Sequence, residues 1–180
     1  MDNNVAIGAR ALDATTSASA NTAVGKDALT DNTTGTNNVA VGENALANNT
    51  TADQNTALGQ NAMLTNSTGG SNVAVGHDSL RLNTTGSTNV AVGLDAMRSN
   101  TTASGNTAVG KDALTSCTTG DAHTIMGFQA GEDLTTAAHA TLLGYRAAMN
   151  LTTGNFNTIM GSNTCANMTT ASNNTVVGYG

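Results

Sequence analysis

Asn21-Thr22-Ala23-Val24-Gly25-Lys26-Asp27-Ala28-Leu29-Thr30-Asp31-Asn32-Thr33-Thr34-Gly35-Thr36-Asn37 is one complete phrase, and Asn38-Val39-Ala40-Val41-Gly42-Glu43-Asn44-Ala45-Leu46 begins it again. Its glycine recurs every 17 residues without an insertion, at Gly8, Gly25, Gly42, Gly59, Gly76, Gly93, Gly110, Gly127, Gly144, Gly161 and Gly178. A fixed period over the whole chain describes a stack of similar coils, each supported by its neighbours. The Asn, Thr, Ala and Gly bias resembles disorder in composition, yet disorder has no reason to return an aliphatic residue to one phase. The chain therefore reads as all-β, a parallel β-solenoid of about ten 17-residue coils forming one repeat domain over 1–180. Coils start at 4, 21, 38, 55, 72, 89, 106, 123, 140, 157 and 174.

With the leading Asn as slot 1, slots 2 to 4 (Thr22-Ala23-Val24) have strand composition and the slot 5 glycine turns the chain. Slots 8 and 9, Ala28-Leu29 in this coil, suggest a second short strand, giving two strands and two turns per coil. Adjacent strand residues face opposite ways, yet slots 3 and 4 are both apolar, and so are slots 8 and 9. One stripe must face outward. An apolar stripe along ten coils exceeds what a soluble monomer normally exposes, so it is expected to pack against other copies of the chain. The expected interface residues are Ile7, Val24, Val41, Leu58, Val75, Val92, Val109, Met126, Leu143, Met160 and Val177.

Side-chain volumes locate the interior. From the eighth coil, slot 3 changes from Ala to Ile125, Leu142 and Ile159, while slot 9 shrinks to Gly131, Ala148 and Cys165. Slot 12 changes from Asn32, Asn49, Asn66, Asn83 and Asn100 through Cys117 to Leu134, Leu151 and Met168. Compensating volumes imply one shared core, because voids and overpacking both destabilise. Slots 3, 9 and 12 are thus interior, slots 2 and 4 face partners, and the slot 12 asparagines form a buried amide ladder.

Composition excludes several roles. The net charge is −6 with only six Lys and Arg, which disfavours a nucleic-acid partner, because that affinity depends on neutralising phosphates. No apolar run reaches the ~20 residues of a membrane helix, so no membrane insertion is expected. Three scattered histidines make no catalytic constellation; an enzyme, a cofactor and a metal are not expected. Asp78, Asp95 and Asp112 share slot 7, but Arg81 and Arg98 are placed to pair with the first two. Cys117 and Cys165 lie almost three coils apart, too far for a disulfide. His123 and His139 read as polar turn residues. The Asn-Xaa-Thr triplets look like glycosylation sites but recur because the coil recurs.

Asn-Val-Ala-Ile-Gly (4–8), Asn-Val-Ala-Val-Gly (38–42, 72–76, 89–93) and Asn-Thr-Ala-Val-Gly (21–25, 106–110) resemble the head repeats of YadA-like trimeric autotransporter adhesins. The longer phrase with Ala-Leu and Asn-Thr-Thr-Gly (28–35) is similar to repeat arrays of phage tail fibres. The resemblance covers essentially the whole chain. It implies a left-handed β-roll, a side-by-side homotrimer, an extracellular place on a virion tail fibre or bacterial surface, and an attachment role. The strict period of 17 favours the phage fibre. The chain is then expected to be a segment of a longer fibre, presenting a face that recognises a cell-surface glycan or another host receptor. Phe128, Tyr145 and Tyr179 share slot 6, with Phe156 at slot 17 expected nearby; these four aromatics are the receptor-binding candidates. The alternative function is an ice-binding solenoid using Thr columns at slots 13 and 14.

Overall fold

The computed structural model describes residues 3–180. Each coil contributes one three-residue strand: β1 (Val5–Ile7), β2 (Thr22–Val24), β3 (Val39–Val41), β4 (Thr56–Leu58), β5 (Val73–Val75), β6 (Val90–Val92), β7 (Thr107–Val109), β8 (Thr124–Met126), β9 (Thr141–Leu143), β10 (Thr158–Met160) and β11 (Thr175–Val177). They form one eleven-stranded parallel sheet in chain order, and every pairing joins equal slots, as Val73 with Val90 and Ala74 with Ala91. The parallel β-solenoid with its 17-residue coil is therefore the fold.

The expected second strand at slots 8 and 9 is absent among the described residues. Two residues in the left-handed region bracket that segment, slot 7 (Asp27, φ 58°) and slot 9 (Leu29, φ 51°), and the geometry repeats at Asp78 and Leu80. Left-handed residues break the strand's alternation, so slots 8 and 9 both turn inward: Ala28, Leu29, Ala45 and Leu46 are fully buried. The two-face conflict read there from the sequence dissolves for this reason. A left-handed conformation is a severe strain for β-branched side chains, and slot 9 carries Leu, Met, Gly, Ala or Cys, never Val or Ile.

At slots 3, 9 and 12 the core follows the volume argument. Ala74, Leu80 and Asn83 in the fifth coil are buried, and so are Leu142, Ala148 and Leu151 in the ninth. A Cβ placed on Gly131 would lie 2.8 Å from Leu142 Cδ1 and 2.9 Å from Leu134 Cδ1. Those leucines thus fill the volume that slot 9 surrenders. The slot 12 ladder is present: Asn49 Nδ2 donates to Asn32 Oδ1 at 2.9 Å, and Asn83 Nδ2 to Asn66 Oδ1 at 2.7 Å. Leu114, buried in the seventh coil, tests the assignment of slot 9. Leu114→Ala is expected to lower unfolding stability by ~2–5 kcal/mol in urea titrations.

A second ladder runs through slot 1. Asn72 Oδ1 accepts the backbone N–H of Asn89 at 2.9 Å, and Asn72 Nδ2 donates to the Gly86 carbonyl at 2.9 Å. The same pair of bonds joins Asn38 to Asn55 and to Ala52. The slot 15 carbonyl is shared: Gly86 O also accepts from Asn83 Nδ2 at 2.9 Å. The two ladders thus converge on one oxygen per coil and satisfy polar groups that burial would otherwise leave orphaned. Slot 13 adds an outer row, each hydroxyl donating to the next coil's carbonyl, as Thr84 to Thr101 at 3.0 Å.

Candidate recognition surface

Strand alternation carries slots 2 and 4 outward. Among the slot 4 residues, Ile7, Val41, Leu58, Met126, Leu143, Met160 and Val177 are exposed, while Val24, Val75, Val92 and Val109 are half-buried. One sheet face therefore carries an unbroken aliphatic row, ~48 Å long at ~4.8 Å per coil. Beside it, slot 2 supplies Val or Thr.

The aromatics divide into two groups. Phe128 and Tyr145, at slot 6 of adjacent coils, stack with centroids 5.4 Å apart and planes 9° apart. Phe156 does not join them. It stacks on His139, with centroids 5.0 Å apart and planes 4° apart. The cause is register: slot 17 precedes the strand and slot 6 follows it, so the two stacks stand at opposite ends of each strand. Lys111 Nζ lies 5.3 Å from the Phe128 ring centre and Arg146 Cζ 5.2 Å from that of Tyr145. Ring faces in this stack thus already have aromatic or cationic neighbours, which leaves ring edges for a ligand. Phe156 is 58% exposed and Tyr179 84%. Tyr179 lies two coils beyond Tyr145, with Ser162 in the intervening slot 6.

Slot 7 carries a polar and charged row. Asn61 Nδ2 donates to Asp78 Oδ1 at 3.0 Å, and Arg98 Nε lies 3.6 Å from Asp95 Oδ1 and 3.8 Å from Asp78 Oδ2. Arg81 Nε is 3.8 Å from Asp78 Oδ1, so the expected pairing of these arginines is found. Ligand atoms of His77, Asp78 and Asp95 lie within 4.8 Å of one another, but the two guanidinium groups already supply the counter-charge a cation would bring. Toward the start of the row, a bond from Arg10 holds the Asp27 carboxyl below its ordinary range; at slot 10 of the eighth coil, burial raises that of Glu132.

His123 is not a turn residue. It occupies slot 1 of the eighth coil, is 1% exposed, and replaces the ladder asparagine bond for bond. Its N–H donates to Asn106 Oδ1 at 2.8 Å, its Nδ1 accepts the Ala140 N–H at 3.1 Å, and Nε2 meets the Ala137 carbonyl at 2.9 Å. His139 is the exposed residue of the two. The sequence signal for the slot 1 ladder was the Asn itself, which recurs there in a phrase of otherwise strand-forming residues. Cys117 and Cys165 are free thiols; Cys117 is buried, and desolvation pushes its pKa up to about 11. The asparagines of the triplets at Asn32, Asn66, Asn83 and Asn100 are buried in the slot 12 ladder. Glycan transfer to them would require an unfolded chain. No pocket is found among the described residues, and no helix long and apolar enough to cross a membrane occurs among them.

Nothing matches this chain among family models, curated proteins or solved structures. Its function is therefore argued from the surface.

Proposed function

We propose that the chain is a structural and adhesive fibre module, three copies side by side, displaying a face that recognises a cell-surface glycan or another host receptor. The observation that carries this reading is the outward aliphatic row from Ile7 to Val177. A row of that length left in water is unfavourable, since apolar area contributes ~25 cal/mol per Å² when buried. Neighbouring copies cover it without any new element, because the coil period is the same in each. The resemblance to trimeric adhesin heads and tail-fibre repeats supplies the number three, the left-handed winding and the extracellular setting of a virion fibre or bacterial surface. Function then comes from rigid display and multivalency, with identical faces raising avidity for a repetitive surface. Phe128, Tyr145, Phe156 and Tyr179 remain the candidate contacts, with Phe156 and Tyr179 offering the most open rings.

Light scattering is the direct test. The expected mass is three times the 17.9 kDa chain. Val92→Asp, with its carboxylate facing outward in the middle of the row, is expected to give a single-chain mass and an unchanged β-type circular dichroism spectrum. A wild-type mass of one chain overturns the trimer. The exposed slot 14 threonines, such as Thr85 and Thr102, then become the leading surface, and ice the ligand to try. The neighbouring slot 13 hydroxyls are less suited to that role, since they are engaged between coils.

A further inference from the structure

Both internal ladders change at one level of the stack. Along slot 12 the amide chain ends at Asn100, whose Oδ1 has no partner, because Cys117 Sγ turns to the Gly120 carbonyl at 3.4 Å. Along slot 1 the chain passes through His123 and breaks at Ala140, which has no side-chain acceptor to offer Asn157, and it resumes only from Asn157 to Asn174. Above this level, the core is held by Ile125, Leu134, Leu142 and Leu151. Of the two internal ladders, the last bond from the polar part of the stack into the ninth coil is therefore the one from the Ala140 N–H to His123 Nδ1, while Thr135 Oγ1 to the Thr152 carbonyl and the Ala138 N–H to Asn155 Oδ1 cross the same junction nearer the surface.

We propose that the junction between the eighth and ninth coils is an acid-sensitive joint, with His123 as its titrating group. An asparagine oxygen accepts a hydrogen bond at any pH near neutrality. An imidazole nitrogen accepts one only while it is unprotonated, and both ring nitrogens are donors in the cation. The ring's role is fixed by its partners: Nε2 faces a carbonyl and must carry the proton, so Nδ1 is the acceptor. Protonation sets an Nδ1–H against the Ala140 N–H, two donors 3.1 Å apart between nitrogens in a buried site. The junction then loses its ladder bond and gains a buried charge.

The surroundings set the direction. Burial lowers the His123 pKa, the Ala137 carbonyl raises it, His139 of the same coil lowers it and Asp121 of the coil below raises it. Cys117 below stays a neutral thiol, its pKa pushed up to about 11. A histidine with a lowered folded pKa binds fewer protons than the unfolded chain in the window between the two values. Its stabilisation is complete above the ordinary value of 6.5 and is lost as pH falls from there toward the folded value. Coils two to six have asparagine at slot 1 and lack this response.

Amide hydrogen exchange of the whole chain, expressed as protection factors at pH 7.5 and 5.0, tests the joint. Protection at Ala140 is expected to fall about tenfold for each unit by which the folded pKa lies below the ordinary one, up to about thirtyfold at pH 5.0. Protection at Val73 in the fifth coil is expected to hold. His123→Asn restores the oxygen acceptor of the other coils and is expected to abolish the pH dependence at Ala140. An unchanged dependence in that variant, or none in the wild type, overturns the proposal. Ring nitrogen NMR shifts of the wild type give a reading that needs no variant. The expected state at pH 7.5 is an Nε2–H tautomer that resists protonation below the ordinary value, and a ring titrating at 6.5 overturns the joint.

Discussion

Gly76→Ala is expected to destabilise the stack by ~2–6 kcal/mol and to divide its urea unfolding into two transitions. Two independent penalties meet at this residue. Its φ is +134°, a conformation that side-chain-bearing residues rarely adopt, and an added Cβ would lie 2.4 Å from the Gly93 carbonyl oxygen and 2.7 Å from its carbon. Backbone on both sides leaves no flexible atom to yield, so the fifth and sixth coils must separate locally. In a solenoid, each coil is stabilised through its neighbours, and a weakened interface uncouples the two halves. Gly105→Ala is the matched control. That glycine has φ +70° with nothing within 4 Å of the added Cβ, and its expected cost is ~1 kcal/mol from the backbone alone. Circular dichroism during urea titration checks both. Equal costs would place the slot 5 effect in glycine conformation rather than in coil-to-coil contact.

Asn72→Ala is expected to cost ~2–4 kcal/mol, more than its size suggests, because it orphans a buried donor. The Asn89 N–H loses its only side-chain acceptor at 2.9 Å, and the Gly86 carbonyl retains one partner of two. Asn72 is fully buried, so water cannot replace the lost amide without opening the coil. Asn48→Ala, at an exposed position of the third coil, is expected to stay within ~0.5 kcal/mol of wild type. Urea midpoints at constant slope measure the difference. A neutral Asn72→Ala would mean that the ladder follows the fold rather than holding it.

Much of the interior was legible in the sequence because volume is conserved across a core. The exchange of Ala91, Met97 and Asn100 for Leu142, Ala148 and Leu151 reads as compensation from residue volumes alone, and all six are buried. The outward direction of slots 2 and 4 followed from strand alternation alone. Slots 8 and 9 were not legible in that way. Alternation assumes an extended backbone, and the left-handed residues at slots 7 and 9 break that assumption. Their only trace in sequence is Asp or Asn at many slots 7 and the absence of β-branched residues at slot 9.

The candidate surface was legible in part. Shared slot number joined Phe128 to Tyr145, and a three-residue spacing paired Arg81 and Arg98 with Asp78 and Asp95. It misplaced Phe156, because slot 17 precedes a strand and slot 6 follows it, at opposite ends of that strand. It also treated His123 as a turn residue, since its hydrogen-bond partners lie 14 and 17 residues along the chain.

The sequence by itself determined the period, the stacking of equal slots, the residues that share the core and the row that faces outward. Each of these depends on translation along one axis, and a repeat writes translation directly into residue spacing. The tertiary structure decided how the chain closes within a coil, which asparagines bear the load of hydrogen bonding, and which rings meet. Those depend on backbone dihedrals and on contacts between coils, where a carbonyl 14 residues away is a nearer neighbour than the next side chain in sequence.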